Sequence, residues 1–266
     1  MQFANINGIS LHYQVIGAPE DKPTMVFVNS LGSDFRIWRD VIVRLVGEVA
    51  IITYDKRGHG LSDLGESQTM DDHVADLEGL LDHLGVQHPI ICGLSVGGLI
   101  AQSLYHKRKD LAGALILCNT GTHIGSDEIW NMRIETVQTK GLSHIANEVM
   151  SKWFTREFRE ENPAEINGYI NMLTRTPVQG YIGTCAAIRD SDLSTLAEDI
   201  SIPTICIAGD QDESTPPELM KQMAKTIPDA FYEEIKDCGH IPTVQQPEYL
   251  TEVIKSFMGK LSRTED

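Results

Sequence analysis

Short apolar runs alternate with amphipathic helical patterns along most of this chain, and few architectures accept that alternation. The runs TMVFVNS (Thr24 to Ser30), VAIITYD (Val49 to Asp55), HPIICGL (His88 to Leu94), GALILCN (Gly113 to Asn119) and TICIAGD (Thr204 to Asp210) have strand length and are apolar on both faces, as buried parallel strands require. Helical patterns separate them. One lies around Trp38 to Leu45. Another opens at Thr69 with Asp72 three residues on, repeats apolar side chains at Val74, Leu77, Leu80, Leu81 and Leu84, and stops at Gly85. A third runs from Val96 to about Lys107. The N-terminal FANINGISLHYQV places Asn7-Gly8 between two alternating runs, the signature of a hairpin of two antiparallel edge strands. From Gly121 to Asp190 the strand signal gives way to helical segments (IWNMRIETV, ANEVMSKWF, EINGYINML); strands resume at Thr204 and at AFYEEI, and a last amphipathic helix runs from Pro247 to about Leu261. The expectation is an α/β fold: a mostly parallel eight-stranded sheet flanked by helices. Residues 1-120 and 191-266 form the core, and residues 121-190 a helical lid inserted after the sixth strand.

At 266 residues, 41% hydrophobic and 23% charged, the chain is long enough for one full core. Its formal net charge of −16 repels nucleic acid and anionic membranes, since phosphate binding calls for a basic patch. Any anionic substrate must therefore meet a local cation. The opening MQFANING has no basic region followed by an apolar one, and no run reaches the ~18 apolar residues that span a bilayer, so a cytoplasmic location is expected. The cysteines Cys92, Cys118, Cys185, Cys206 and Cys238 are odd in number and lack C-x-x-C spacing; they read as reduced structural residues, and no cluster has metal-ligand spacing. Neither metal nor cofactor is expected. Cys238, two residues before His240, is a weak candidate nucleophile, because nothing near it in sequence lowers a thiol pKa.

The sharpest chemical signal is Gly93-Leu94-Ser95-Val96-Gly97-Gly98, placed where an apolar strand ends and a helix begins. Small residues two before and two after a serine permit a tight strand-to-helix turn that lifts the hydroxyl above the sheet edge, at a helix N-terminus that favours negative charge. The glycine spacing is not that of a dinucleotide-binding loop. A serine hydroxyl needs a base, and of nine histidines only His240, in Asp237-Cys238-Gly239-His240, falls between the last strand and the last helix. The base needs an acid, and Asp210, Asp212 and Glu213 compete in the loop after the penultimate strand; Asp212 is preferred and Asp210 is second. The strand ending at Asn119 offers no carboxylate. The order Ser95, Asp212, His240 differs from the other two common triad orders. Oxyanion donors are expected from the amides of Val96 in the elbow and Leu31 in Asn29-Ser30-Leu31-Gly32.

These residues, with Asp55-Lys56-Arg57-Gly58-His59-Gly60-Leu61-Ser62, resemble an α/β-hydrolase over essentially the whole chain. The blocks Asn29-Ser30-Leu31-Gly32, Cys92-Gly93-Leu94-Ser95, Leu117-Cys118-Asn119-Thr120, Trp130-Asn131-x-Arg133-Ile134 and Cys185-Ala186-Ala187-Ile188-Arg189-Asp190 more narrowly resemble the 3-oxoadipate enol-lactonases. Two positions depart from that family: Pro242-Thr243 replace Ser-Asn after His240, at a point expected to touch the pocket wall, and Val96 replaces Met while keeping its backbone donor. The resemblance implies hydrolysis of a small anionic lactone of aromatic catabolism, a five-membered enol-lactone bearing a carboxymethyl group. Arg133 is then the candidate partner for its carboxylate, against the alternative of a solvated Arg on a helix face. Ser30, Trp130 and Trp153 are candidate substrate contacts, the two tryptophans equally able to form the insertion's own core. A carboxylesterase, carbon-carbon hydrolase or perhydrolase would use the same triad, and a non-catalytic ligand receptor is a further alternative from a different class.

Overall fold

The computed structural model describes residues 1–18 and 22–261. Eight strands, β1 (Gln2–Ile6), β2 (Ile9–Ile16), β3 (Thr24–Val28), β4 (Ala50–Tyr54), β5 (Ile90–Leu94), β6 (Ala114–Cys118), β7 (Thr204–Gly209) and β8 (Phe231–Ile235), form one sheet in the order β1-β2-β4-β3-β5-β6-β7-β8. Neighbours from β4 to β8 pair in parallel, and β2 is antiparallel to both β1 and β4. Only β1 is therefore an edge at this end, and the expected pair of edge strands is corrected: the free side of β2 docks on β4, with Tyr13 opposite Tyr54. The hairpin turn is the one its residues suggest, with Asn7 and Gly8 both at positive φ (50° and 80°).

The helices that cover the core are α1 (Arg39–Leu45), α2 (Met70–Leu84) and α3 (Val96–Lys107). Between β6 and β7 the chain makes five more: α4 (Asp127–Lys140), α5 (Leu142–Trp153), α6 (Arg156–Glu161), α7 (Pro163–Thr174) and α8 (Val178–Arg189). The chain closes with α9 (Pro217–Thr226), the single turn α10 (Pro242–Gln245) and α11 (Pro247–Leu261). Thr69 and Asp72 cap α2 reciprocally, and Gly85 ends it in the left-handed conformation. Because strand side chains alternate faces, Met25 and Phe27 of β3 pack with Trp38, Leu45, Ile254 and Phe257 on one side, and Val26 and Val28 pack with Leu77, Leu99, Leu104 and Met220 on the other. Each such fully buried side chain contributes roughly 1.5–3 kcal/mol relative to exposure. No helix among the described residues is long and apolar enough to cross a membrane.

Strand order reverses at β3: the chain moves from β3 to β4 on one side, then to β5 on the other. At such a switch point the loops leaving β3 and β5 part in opposite directions and open a crevice beyond the strands' carboxyl ends. The loop after β4 braces this crevice. Lys56, wholly buried, donates from Nζ to the Ser30 carbonyl at 2.8 Å. His59, also buried, accepts the Gly32 amide on Nε2 at 3.1 Å and donates from Nδ1 to the Arg57 carbonyl. Burial, helped by the nearby Lys56 charge, pushes His59 well below its ordinary pKa, so the neutral tautomer that accepts from Gly32 is the stable one.

Burial also pushes Lys56 down to about 7, although Asp55 and Asp34 pull the other way. Between about pH 7 and the ordinary lysine value the unfolded chain holds a proton that the folded chain does not, so this group's contribution to stability rises with pH across that window and is flat below it. The melting temperature of the native chain relative to Lys56→Met should therefore climb between about pH 7 and 10. Parallel pH profiles for the two proteins would show that Lys56 keeps an ordinary pKa.

Candidate active site

Ser95 sits between β5 and α3 with φ 58° and ψ −120°, a conformation that costs a non-glycine residue about 1–3 kcal/mol unless its surroundings impose it. The surroundings do. Its amide donates to the Cys118 carbonyl at 3.0 Å, and its carbonyl accepts from the Gly98 amide at 2.8 Å and from Thr120 Oγ1 at 2.6 Å. The small residues of the turn are required by contact as well: a Cβ on Gly97 would collide with the Val28 carbonyl, and one on Gly98 with the Thr120 side chain. The strain is thus held by the two neighbouring strands and presents the hydroxyl above the sheet.

Asp212 and His240 arrive from the other side of the crevice, after β7 and β8. Their side chains are almost entirely buried, 0% and 4% exposed, and His240 Nδ1 lies 2.8 Å from Asp212 Oδ2. That oxygen also accepts from Asn119 Nδ2 (2.8 Å) and Thr215 Oγ1 (2.6 Å), and Oδ1 accepts the amides of Ser214 (2.7 Å) and Thr215 (3.1 Å). Burial alone would raise the carboxyl pKa; the His240 charge and the hydrogen bonds from His240 and Thr215 outweigh it and hold Asp212 below its ordinary value. With Nδ1 engaged by an ionised carboxylate, the imidazole keeps Nε2 for another partner. Asp210, the alternative acid, points elsewhere: it accepts the Cys238 amide at 3.1 Å and lies 3.8 Å from Lys236 Nζ. Glu213 is exposed and forms no hydrogen bond or ion pair with His240 among the described residues.

A cavity of about 180 Å³ joins these groups. Ser30, Leu31, Ser95, Trp130, Arg133, Trp153 and His240 all line it, and Asp212 stands behind His240. The amides of Leu31 and Val96 have no acceptor among the described residues, and Val96 opens α3, where an amide has no partner within its own helix. Trp130 is partly buried and donates to the Ile124 carbonyl at 2.6 Å, while Trp153 is buried edge-on to Phe154. Each tryptophan therefore serves both as cavity wall and as part of the insertion's packing. Arg133 reaches the cavity with its guanidinium paired to Glu148 at 2.7 Å. Pro242 and Thr243 are buried in α10 and are not part of the wall, contrary to expectation: the chain turns inward immediately after His240. Cys238 is wholly buried, and burial with the Asp212 charge pushes its thiol up, the wrong direction for a nucleophile. No group of His, Cys, Asp or Glu side chains suited to a metal ion occurs among the described residues.

Five contributors have no separate signal in the sequence. Asn119, at φ 42° after β6, bridges Asp212 and the Gly239 carbonyl (3.0 Å), and its place in Cys-Asn-Thr at a strand end was the available clue. Thr215 was hidden beside the competing acids, Lys56 and His59 act through the Leu31 loop, and Lys152 is a second cation on the cavity wall.

The model of the alpha/beta hydrolase fold family matches residues 23–247. Two 3-oxoadipate enol-lactonases of Acinetobacter baylyi are 32% and 30% identical to this chain; the alignments cover 97% and 96% of it, and 96% and 95% of the relatives. Among solved structures, the enol-lactonase from Burkholderia xenovorans LB400 superposes with a TM-score of 0.94 at 32% identity, over 97% of this chain and 100% of its own. A thermophilic esterase from Thermogutta terrifontis, solved with malate bound, gives 0.92 at 29% identity over 98% and 99%. The sheet, its flanking helices and these full-length similarities make the chain a hydrolase of the α/β-hydrolase fold, and it belongs to the 3-oxoadipate enol-lactonase family.

Proposed function

We propose that this hydrolase opens 3-oxoadipate enol-lactone to 3-oxoadipate, a step of the β-ketoadipate route of aromatic catabolism, through a covalent intermediate on Ser95. The observation that carries the reading is the desolvated Asp212–His240 pair facing the same small cavity as a strained Ser95; the family relatives supply the substrate.

In this mechanism His240 Nε2 takes the Ser95 proton as Oγ attacks the lactone carbonyl, and Asp212 stabilises the imidazolium. The amides of Leu31 and Val96 receive the oxyanion. Collapse breaks the ring carbon–oxygen bond, and the proton held on His240 passes to the departing enol oxygen. An enol is a better leaving group than an alcohol and tautomerises to the ketone, so little acid assistance is required. His240 then takes a proton from water as the water oxygen attacks the acyl carbon, and collapse breaks the acyl–Ser95 bond as His240 returns that proton to Oγ. The insertion of residues 121–190 acts as the lid over this chemistry, contributing Trp130 and Trp153 as apolar walls and two cations, Arg133 and Lys152, against the acidic background of the chain.

A carboxylesterase reading has one observation in its favour, the 29% identity with the Thermogutta terrifontis esterase. Comparing kcat/KM for the enol-lactone and for p-nitrophenyl acetate separates the two, the lactone being favoured by about a hundredfold or more under the present account; a preference for the neutral ester would transfer the function to an esterase.

Ser95→Ala should lower kcat by about 10⁴-fold or more with thermal stability kept, and wild-type turnover in that variant would remove Ser95 from the chemistry. Asp212→Asn, which alters the tautomer His240 is held in, should cost on the order of 10³–10⁴ in kcat, whereas Asp210→Asn should stay within about tenfold of the native enzyme because its contacts are to the loop backbone and Lys236. The reverse ranking would make Asp210 the triad acid.

A further inference from the structure

We propose that Lys152, rather than Arg133, is the seat of the substrate carboxylate; this rests on the enol-lactone reading above. Both cations line the cavity, but they are not equivalent. Arg133 already holds Glu148 at 2.7 Å, with 15% of its own side chain exposed. Lys152 is half-buried, and its ammonium group has neither an ion pair nor a hydrogen bond among the described residues. A substrate anion entering this cavity meets Glu213 on the wall, Glu148 beside Arg133 and a net charge of −16. Only a cation whose charge is not already compensated offsets that field, because a paired guanidinium gains little from a second carboxylate.

The position of Lys152 is set by the backbone. It lies in the last turn of α5, where a lysine at an ordinary surface site would complement the helix dipole from solvent; here the side chain lines the cavity that holds Ser95. The next residue, Trp153, gives its carbonyl to the amides of both His240 (2.9 Å) and Ile241 (3.2 Å). The end of α5 and the loop carrying the base are therefore one hydrogen-bonded unit, and the backbone that carries Lys152 keeps its register with the His240 loop. This has a chemical consequence. The carboxymethyl group of the enol-lactone is attached to the carbon that bears the ring oxygen, so the leaving enol stays tethered to the acyl group when the ring opens. A cation that holds that carboxylate after ring opening keeps the departing enol at one end of the cavity.

The test compares the enol-lactone with α-angelica lactone, which carries a methyl group in place of the carboxymethyl group. In Lys152→Ala the ratio of kcat/KM for the anionic over the neutral lactone should fall ~10–100-fold, the loss of one charge-assisted contact, and Lys152→Arg should recover most of it. An unchanged ratio in Lys152→Ala, or a comparable fall in Arg133→Ala without one in Lys152→Ala, overturns the assignment. If the native enzyme hydrolyses p-nitrophenyl acetate but neither lactone, the substrate reading fails separately. Inhibition of that ester hydrolysis by adipate, lost in Lys152→Ala, would then still support an anion seat at Lys152, and equal inhibition of both proteins would refute it.

Discussion

The hydrogen bond between Asp212 and His240 is the interaction on which the rest of the site depends. A carboxylate this deeply buried is costly unless nearly every lone pair is occupied, and here Asn119, Thr215 and two backbone amides occupy those that His240 does not. The protein builds a small polar enclosure at the carboxyl ends of β6 and β7 and places one imidazole nitrogen inside it. The other nitrogen is left on the side of the cavity. Removing any one donor would leave a buried charge short of partners, so the enclosure behaves as a unit rather than as a sum of contacts.

The enclosure works because the sheet brings distant segments to one edge. Ser95 follows β5, the Leu31 loop follows β3, Asn119 follows β6, Asp212 follows β7 and His240 follows β8. Reversal of strand order at β3 opens the space between the first two, and the loop after β4 supports it from below through Lys56 and His59. Close backbone approach does the rest: a Cβ on Gly209 would strike the Gly239 carbonyl, so the Asp and His loops can touch only because glycine stands at the end of β7. The geometry of the candidate site is a property of strand ends and tight turns, with the helices between β6 and β7 contributing walls and charge.

Much of this was legible in the chain. The apolar runs mark the buried strands because a parallel sheet covered on both faces tolerates no polar alternation, and Ser95 and His240 stand out because each falls in a loop at a strand's carboxyl end. The pairing of β2 with β4 is not legible in the sequence, since alternation reports that one face is buried and says nothing about which strand pairs on the other side. Asn119 was seen only as the absence of a carboxylate, because its role arises from a contact across 93 positions in sequence. The choice between Asp210 and Asp212 needed side-chain direction. Arg133 and Lys152 both lie on helices between β6 and β7, and only three-dimensional pairing shows that one is already partnered and the other is not.

The proposed hydrolysis turns on Ser95 acting as a nucleophile activated by the buried Asp212–His240 pair. Peptide mapping by mass spectrometry after reaction with a p-nitrophenyl phosphonate, which traps an activated serine as a stable tetrahedral adduct, tests it most directly. One adduct per chain is expected, on Ser95, formed much more slowly when His240 is replaced by alanine. An adduct on Cys238 or another residue, or full enzymatic turnover with Ser95 unlabelled and the reagent in excess, would contradict it.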